Sequence, residues 1–519
     1  MQAGDLSVAM LAAWAAVGLY ALVILVLVVR GARRNRSLAD YALGNLAFSP
    51  VAVGLALAAS MTSAATFIIN PGFIALYGLS AVLSYGIVLP LAAVTSLVVL
   101  THGFRRHGSS VKALSMAQWM GTRYRSRGMA LLFGVLSLLL ITFIVLIVVG
   151  LTKVLSAALG IGETAALLGL VVFVFGYMMF GGANSMVYTN TVQATLMLIV
   201  AWILLGSGYD HFADGVRGFL ARLRAIDPLL VAPTNPDSFL FRSWFEIIVA
   251  QIVVGVAIVC QPHIITKSLL LKNDSDVNRY LLVGGVTELI FFAVVFAGLY
   301  ARLEFPDLTV GGVPLAMDGI IPAYVVHEFP VWLGLVVVMG LISAGLSTLE
   351  GLVQALTTTI TSDLVVPLGG RWLPAEGSEA RDRTLLWIGR AAMVALAVAT
   401  VALSRQQLVS PRLSVAIFAQ NGVYAYFSAA FVPILFGMFL PRTPRAAAVA
   451  AALAAVVVHF AMFYGRVRVP GTVATGENPA VAACVAILVA VTVGGAIYLV
   501  LARGRRDEDA AVSTGAPRR

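Results

Sequence analysis

Charged side chains are scarce in this 519-residue sequence: Asp, Glu, Lys and Arg together make up 11% of it, whereas 60% of the residues are hydrophobic. A soluble domain carries about twice that share of charge. Cysteine occurs only at Cys260 and Cys484, both inside apolar segments, so a disulfide framework is not indicated. The sequence contains no G-x-x-x-x-G-K-[ST] loop, which excludes a P-loop ATP-driven pump, and no cluster of residues that predicts an enzyme.

Long apolar runs fill most of the chain instead. A transmembrane helix needs about 20 apolar residues to cross a hydrocarbon layer roughly 30 Å thick. On this template the sequence predicts an all-α polytopic membrane protein with about thirteen spans, numbered here in chain order: 8–29, 49–78, 80–101, 128–152, 160–181, 187–208, 244–263, 280–301, 331–365, 384–404, 412–438, 446–465 and 479–502.

The net charge of +10 does not indicate a nucleic-acid partner, because the basic residues are distributed over the loops as membrane orientation requires. With the N-terminus outside, the loops predicted to be cytoplasmic hold 24 of the 34 Lys and Arg residues. An odd number of spans then leaves the C-terminus in the cytoplasm. We therefore expect a multi-pass protein of the cell (inner) membrane whose N-terminus is outside and whose C-terminus is cytoplasmic.

Two of the spans are interrupted. Asn70-Pro71-Gly72 breaks span 2, and Cys260-Gln261-Pro262-His263 follows Gly255 in span 7. Each broken span opens a set of five spans, and an odd set inverts the second half relative to the first. Paired interruptions in inverted halves point to the central site of a transporter, although a simple proline kink also explains either one alone.

Span 9 is unusually rich in hydroxyl groups. At 100° per residue, Ala344, Ser347 and Thr348 form one stripe that offers a carbonyl and two hydroxyl oxygens. A hard monovalent cation needs several such oxygens to replace its hydration shell, and carbonyls freed at a helix break supply more. The alternative is that these hydroxyls bond to their own helix or hold neighbouring helices together.

Four motifs follow one another along the chain. They are Ala59-Ser60-Met61-Thr62-Ser63 leading to Pro71-Gly72, Gly181-Gly182 followed by Tyr188-Thr189-Asn190-Thr191-Val192-Gln193-Ala194, Gln261-Pro262-His263-Ile264-Ile265, and Ser347-Thr348 with Ile360-Thr361-Ser362-Asp363. In this order they resemble the sodium/solute symporter family, nearest its sodium/proline branch. The similarity covers most of the chain, although Met178 and Ala183 depart from the family's signature near span 5.

This resemblance implies a LeuT-like core of five plus five helices in inverted repeats, with one extra helix before it and two after it. The implied parts are 1–48 (extra helix and cytoplasmic loop), 49–209 (first repeat), 210–243 (extracellular loop), 244–438 (second repeat), 439–502 (two C-terminal helices) and 503–519 (cytoplasmic tail). By match, Na⁺ is held by the carbonyls of Ala59, Thr62 and Ala344 and the hydroxyls of Ser347 and Thr348. Sodium is the only metal ion implied, and no cofactor is.

The sequence departs from the proline branch where that branch carries carboxylates, because Met61 and Asn190 stand at those positions. Glu350 replaces a small hydroxyl residue close to Ser347. A carboxylate within a span is costly and generally functional. We hypothesise that Glu350, together with Asn190, forms a second cation or proton site; a packing role is the alternative. Glu288 in span 8 invites the same hypothesis more weakly.

The expected solute pocket mixes apolar walls with amide and hydroxyl groups, as small-ligand sites do. The aromatic residues expected before Gln-Pro-His are replaced by Val254 and Ile258, which disfavours proline as the solute. A small organic acid, monocarboxylate-like, or an amino acid is the expected class. The candidate lining residues are Ser63, Thr66, Phe67, Gln261, Phe418, Gln420, Asn421 and Tyr424.

The sequence thus favours sodium-coupled symport of a small organic solute across the lipid bilayer by alternating access. Two alternatives remain at this point. A proton-coupled symporter of the same fold would use Glu350, and a channel would conduct without saturation.

Overall fold

The computed structural model describes residues 3–33, 35–45, 47–410, 414–440 and 443–513. Residues 514–519 of the predicted tail lie outside these ranges, as do Arg34 and Arg442 of the predicted basic loops. The described residues are almost entirely helical.

The membrane helices lie close to the predicted spans. Their bounds, in chain order, are Ala3–Ala32, the bent pair Pro50–Met61 and Ala65–Tyr77, Leu79–Ser110, Arg127–Leu159, Glu163–Gly206, the bent pair Phe245–Ile258 and Pro262–Leu270, Asp274–Glu304, Val331–Trp372, Glu379–Val409, Val415–Phe439, Arg445–Gly465 and Pro479–Ser513. Shorter helices are Leu38–Leu43, Met116–Arg123, Gly215–Ile226 and Ile320–Glu328, and the strands Thr309–Val310 and Val313–Pro314 pair antiparallel in the loop between spans 8 and 9.

The long helix Glu163–Gly206 is two spans joined at Gly182, where the backbone leaves helical geometry with φ of 65°. Tyr177 and Gln193, on either side of Gly182, both donate to Oε1 of Glu350, at 2.6 and 3.0 Å. In a straight helix these two residues would stand about 24 Å apart. The chain therefore reverses at Gly182. Among the described residues, ten long apolar helices and two bent pairs, with this helix counted twice, give the predicted thirteen spans.

The break in span 2 is not where the sequence placed it. The two halves meet at 58° around Thr62–Ala64, and Thr62 has extended backbone angles. Asn70-Pro71-Gly72 instead lies at the start of a regular helix, Asn70–Tyr77, directly after the π-helical turn Ala65–Ile69. Proline has no N–H to donate, and a wider π turn accommodates this without ending the helix. The predicted location of the break was wrong by about eight residues.

Span 7 breaks where it was expected to break. Its halves meet at 56°, Gln261 is extended, and Pro262 occupies the first turn of the second half, where its missing N–H costs nothing. The two bent pairs open the two sets of five spans, so both interruptions occupy equivalent places in the inverted repeats.

Gly182 provides the first prediction. A Cβ there would lie 2.8 Å from the Tyr41 carbonyl oxygen, and its positive φ disfavours any other residue. We expect Gly182→Ala to destabilise the protein by about 2 kcal/mol or more and to lower the apparent melting temperature of the detergent-purified protein. Gly176→Ala is the matched control, because a Cβ at Gly176 meets nothing within 4 Å. Equal melting temperatures for the two variants would contradict the hairpin geometry.

Candidate ion and solute site

The five residues expected to hold Na⁺ lie together, and all of them are fully buried. The Ser347 hydroxyl donates to the carbonyl of Ala59 at 2.6 Å and to that of Ala344 at 3.1 Å. The Thr348 hydroxyl donates to the carbonyl of Thr62 at 2.9 Å. The structure thus gathers three carbonyl and two hydroxyl oxygens from spans 2 and 9 at one point.

This gathering follows from the end of the helix Pro50–Met61. The last carbonyls of a helix have no partner within it, and at membrane depth water cannot supply one. The hydroxyls of span 9 satisfy Ala59 and Thr62 in that position. A hydroxyl can also turn its lone pairs toward the same space. The same five oxygens can therefore surround a small hard cation, with neutral ligands only.

Glu288 lies against this oxygen cluster. The Thr62 hydroxyl donates to Oε2 of Glu288 at 3.0 Å, so Thr62 contributes its carbonyl to the cluster and its side chain to the carboxylate. Glu288 is fully buried. The sequence drew attention to it only as a carboxylate inside a span.

Glu350 faces the hairpin of spans 5 and 6. Its carboxylate accepts from the hydroxyls of Tyr177 and Thr189, both at 2.6 Å, and from the Gln193 amide at 3.0 Å. Its side chain is therefore well supplied with neutral donors. None of these three donors belongs to the oxygen cluster of spans 2 and 9.

Asn190 joins this group from span 6. With its amide oriented to satisfy both ends, its nitrogen donates to Oε2 of Glu350 at 3.1 Å and its oxygen accepts from Lys267 Nζ at 2.9 Å and from the Ser60 hydroxyl at 3.2 Å. Lys267 is buried just beyond the break in span 7. We call Tyr177, Thr189, Asn190, Gln193, Lys267 and Glu350 the Glu350 network.

A cavity of about 100 Å³ opens beside the break in span 2. None of the described residues that line it carries a charged side chain. In span 11 the lining follows one helical stripe of positions i, i+3, i+4, i+7 and i+8. Five of the eight predicted solute residues line it: Ser63, Thr66, Gln261, Gln420 and Tyr424.

The other three candidates do not line this cavity. Phe67 points a quarter turn away from Thr66 and packs edge-on against Phe291, with ring centroids 5.8 Å apart. Phe418 lies off the span 11 stripe. Asn421 also leaves the stripe, and its side-chain amide contacts Tyr464 at 3.2 Å and His459 at 3.1 Å in span 12. These residues were chosen by type without fixing the helical phase, which explains why they lie outside this cavity.

Sequence reasoning also missed several polar and aromatic lining residues. Asn70, Tyr85 and Phe143 bring an amide and two rings from spans 2, 3 and 4 to the cavity. The triplet Ser84-Tyr85-Gly86 in the middle of span 3 was the available signal, because polar and small residues in an apolar span mark an internal face. Phe143 carries no comparable signal.

The arrangement agrees with a comparison against known families. A model described as "Sodium:solute symporter family" matches residues 41–455, which is most of the chain. The chain belongs to the sodium:solute symporter family. Membership agrees with the expectation that the chain is a transporter and not an enzyme.

The sodium/pantothenate symporters of two bacteria are among its relatives in this family. The protein from Haemophilus influenzae is 28% identical over 333 residues, covering 63% of this chain and 66% of the relative. The protein from Escherichia coli is 32% identical over 290 residues, covering 54% and 58% respectively. The matched part thus spans less than two thirds of either relative. Placement near the sodium/proline branch of the family stays a prediction.

A solved structure confirms the LeuT-like core. The structure of a Na⁺-coupled sialic acid symporter, in a substrate-bound outward-open state, has a TM-score of 0.74 and 15% sequence identity to this chain. The likeness covers 94% of this chain and 98% of that one. At this identity it shows the fold alone, and the roles of individual residues rest on the geometry described above.

The Glu350 network yields a prediction about stability. Removing one charge from a buried, charge-compensated group costs about 3–5 kcal/mol, whereas removing both charges costs much less. We expect Lys267→Met and Glu350→Gln each to lower the apparent melting temperature, and the double variant to recover much of the loss. Lys272→Met is the control, since the hydrogen bond that its ammonium makes to a described residue is to the Gly44 carbonyl, at 3.3 Å. A double variant less stable than both single variants would contradict the compensation of the Glu350 charge by Lys267.

Proposed function

We propose that this protein is a sodium-coupled symporter of a small organic solute, which it carries across the cell membrane by alternating access. The observation that carries the proposal is the convergence of the Ala59, Thr62 and Ala344 carbonyls with the Ser347 and Thr348 hydroxyls. Broken-helix carbonyls facing hydroxyls on a second helix are the kind of site that binds Na⁺ in transporters. The charge of the loops supports an outside N-terminus and a cytoplasmic C-terminus.

The break in span 2 gives a physical route for coupling. Thr62 contributes its carbonyl to the ion cluster, and the next residue, Ser63, lines the solute cavity together with Met61. A cation that fixes the backbone at Thr62 also fixes the direction of its neighbours. Each ligand then raises the affinity for the other by the same factor.

The cavity favours a solute with several hydrogen-bonding groups and apolar parts. Its polar groups are neutral: the amides of Asn70, Gln261 and Gln420 and the hydroxyls of Ser63 and Tyr424 are among them. We infer a small organic acid that also carries amide or hydroxyl groups. The names of the two pantothenate relatives support this class, because pantothenate combines a carboxylate with both. An amino acid is the second candidate.

The Glu350 network bears on the number of cations. The sequence suggested a second cation or proton site at Glu350 and Asn190. Lys267 already brings an ammonium group to the Asn190 amide, and three neutral donors occupy the Glu350 carboxylate. We therefore favour one sodium ion per transport cycle, with Lys267 compensating the charge of Glu350.

The sodium site is tested by removing its hydroxyls. We expect Ser347→Ala and Thr348→Ala each to raise the Na⁺ concentration for half-maximal uptake into proteoliposomes by about tenfold or more, since each removes one ligand. Ser343→Ala is the matched control in the same helix, because its hydroxyl donates to Tyr20 instead, at 3.0 Å. Uptake driven equally well by a proton gradient without Na⁺ would favour the proton-coupled alternative, and flux that does not saturate would favour a channel.

The solute class is tested by thermal unfolding of the purified protein. A ligand that binds the native state raises its stability by mass action. We expect pantothenate to raise the melting temperature in NaCl and much less in choline chloride. Gln420→Ala should reduce this shift, whereas Phe418→Leu, off the cavity stripe, should keep it. A Na⁺-dependent shift with other solutes but none with pantothenate would replace the solute and leave sodium coupling in place.

A further inference from the structure

Glu288 differs from Glu246 and Glu350, the other two carboxylates with no exposed surface among the described residues. Glu246 receives Arg242 at 2.8 Å, and Glu350 is surrounded by its network. Glu288 is fully buried and makes no ion pair with any described residue. Its Oε2 accepts from Thr62, and its Oε1 has no hydrogen-bond partner among the described residues. A carboxylate kept in this condition inside a membrane is a functional candidate.

The backbone holds Glu288 in this place. Spans 2 and 8 approach closely at Gly54 and Gly284: a Cβ at Gly54 would lie 2.8 Å from the Tyr280 carbonyl oxygen, and one at Gly284 would lie 2.9 Å from Leu57 Cδ2. Small residues allow such close packing of membrane helices. One turn further along span 8, Glu288 consequently meets Thr62 at the end of the first half of span 2.

Thr62 connects the carboxylate to the ion cluster. Its carbonyl accepts from Thr348 within the cluster, while its hydroxyl donates to Glu288. The five cluster oxygens are neutral, so a cation placed among them brings an uncompensated charge into a medium of low dielectric constant. Glu350 is poorly suited to compensate it, because its carboxylate is held by its own network.

We infer that Glu288 is the counter-charge of the sodium site: a positioning residue that acts on the ion through Thr62 and leaves the loaded site without net charge. This inference rests on the proposed sodium coupling and adds the residue that sets the affinity for Na⁺. The three carbonyls and two hydroxyls would define the position of the ion, and Glu288 would define how tightly it is held.

The test measures binding of radioactive sodium to the purified full-length protein, which requires no knowledge of the solute. We expect Glu288→Gln to raise the Kd for Na⁺ by about tenfold or more, the effect of removing one nearby charge at an effective dielectric constant of about 20. Glu288→Asp keeps the charge and should stay within about threefold of the native protein. Glu246→Gln, which removes a buried carboxylate at the outer end of span 7, should leave the Kd unchanged.

A second variant tests the route through Thr62. Thr62→Val removes the hydroxyl that anchors Glu288 but keeps the carbonyl ligand, so we expect weaker Na⁺ binding. In the double variant Thr62→Val, Glu288→Gln, the two effects should not add, because both act on one interaction. Thr62→Val alone also tests the inference if Glu288→Gln cannot be purified.

The outcomes separate this inference from the proposed function. Saturable Na⁺ binding by the native protein that is lost in Ser347→Ala but unchanged in Glu288→Gln, or in Thr62→Val, would overturn the role of Glu288 and keep the sodium site. No saturable Na⁺ binding by the native protein would overturn both. Weakened binding in Glu288→Gln with restoration in Glu288→Asp would support the inference over a purely structural role.

Discussion

The architecture depends on the carbonyls at the end of the helix Pro50–Met61, which have no hydrogen-bond partner within that helix. In a membrane these oxygens cannot turn to water, and each needs a partner from the protein or from an ion. The hydroxyls of Ser347 and Thr348 supply that partner. These hydrogen bonds therefore hold span 2 against span 9. They also keep the carbonyl and hydroxyl oxygens close together, in contacts weak enough to be exchanged.

The small free energy of these hydrogen bonds is compatible with their replacement by an ion, as proposed. A hydroxyl-to-carbonyl hydrogen bond contributes only about 1 kcal/mol net, so exchanging it for cation coordination changes the energy balance little before the ion's own contribution is counted. Conformations that differ by a few kcal/mol are the ones a ligand can select between. Thr62 and Ser63 are adjacent, so in the proposed coupling a change at the cluster would reach the wall of the cavity through one peptide unit.

The sequence was informative wherever the signal was local. The length of the apolar runs located the thirteen spans. Helical spacing and the family motifs together predicted that Ser347 and Thr348 lie beside the carbonyls of span 2, as they do. The errors have physical causes. Pro71 removes a single N–H, which a π turn accommodates. Composition therefore could not show that the first half of span 2 ends near Thr62. The partners of Glu350 come from both arms of the hairpin at Gly182, and no local pattern shows which side chains a reversal of the chain brings together.

The buried carboxylates illustrate why function concentrates where compensation is incomplete. Glu246 has an arginine four residues before it, just ahead of the helix, so its ion pair is made within a short stretch of chain and contributes mainly to structure. Glu350 is satisfied by donors from two further helices, and breaking that arrangement disturbs packing before it disturbs an ion. Glu288 has a single hydroxyl donor and an oxygen without a described partner. In the proposed mechanism, a cation at the neighbouring oxygen cluster would supply the charge compensation that Glu288 lacks among the described residues.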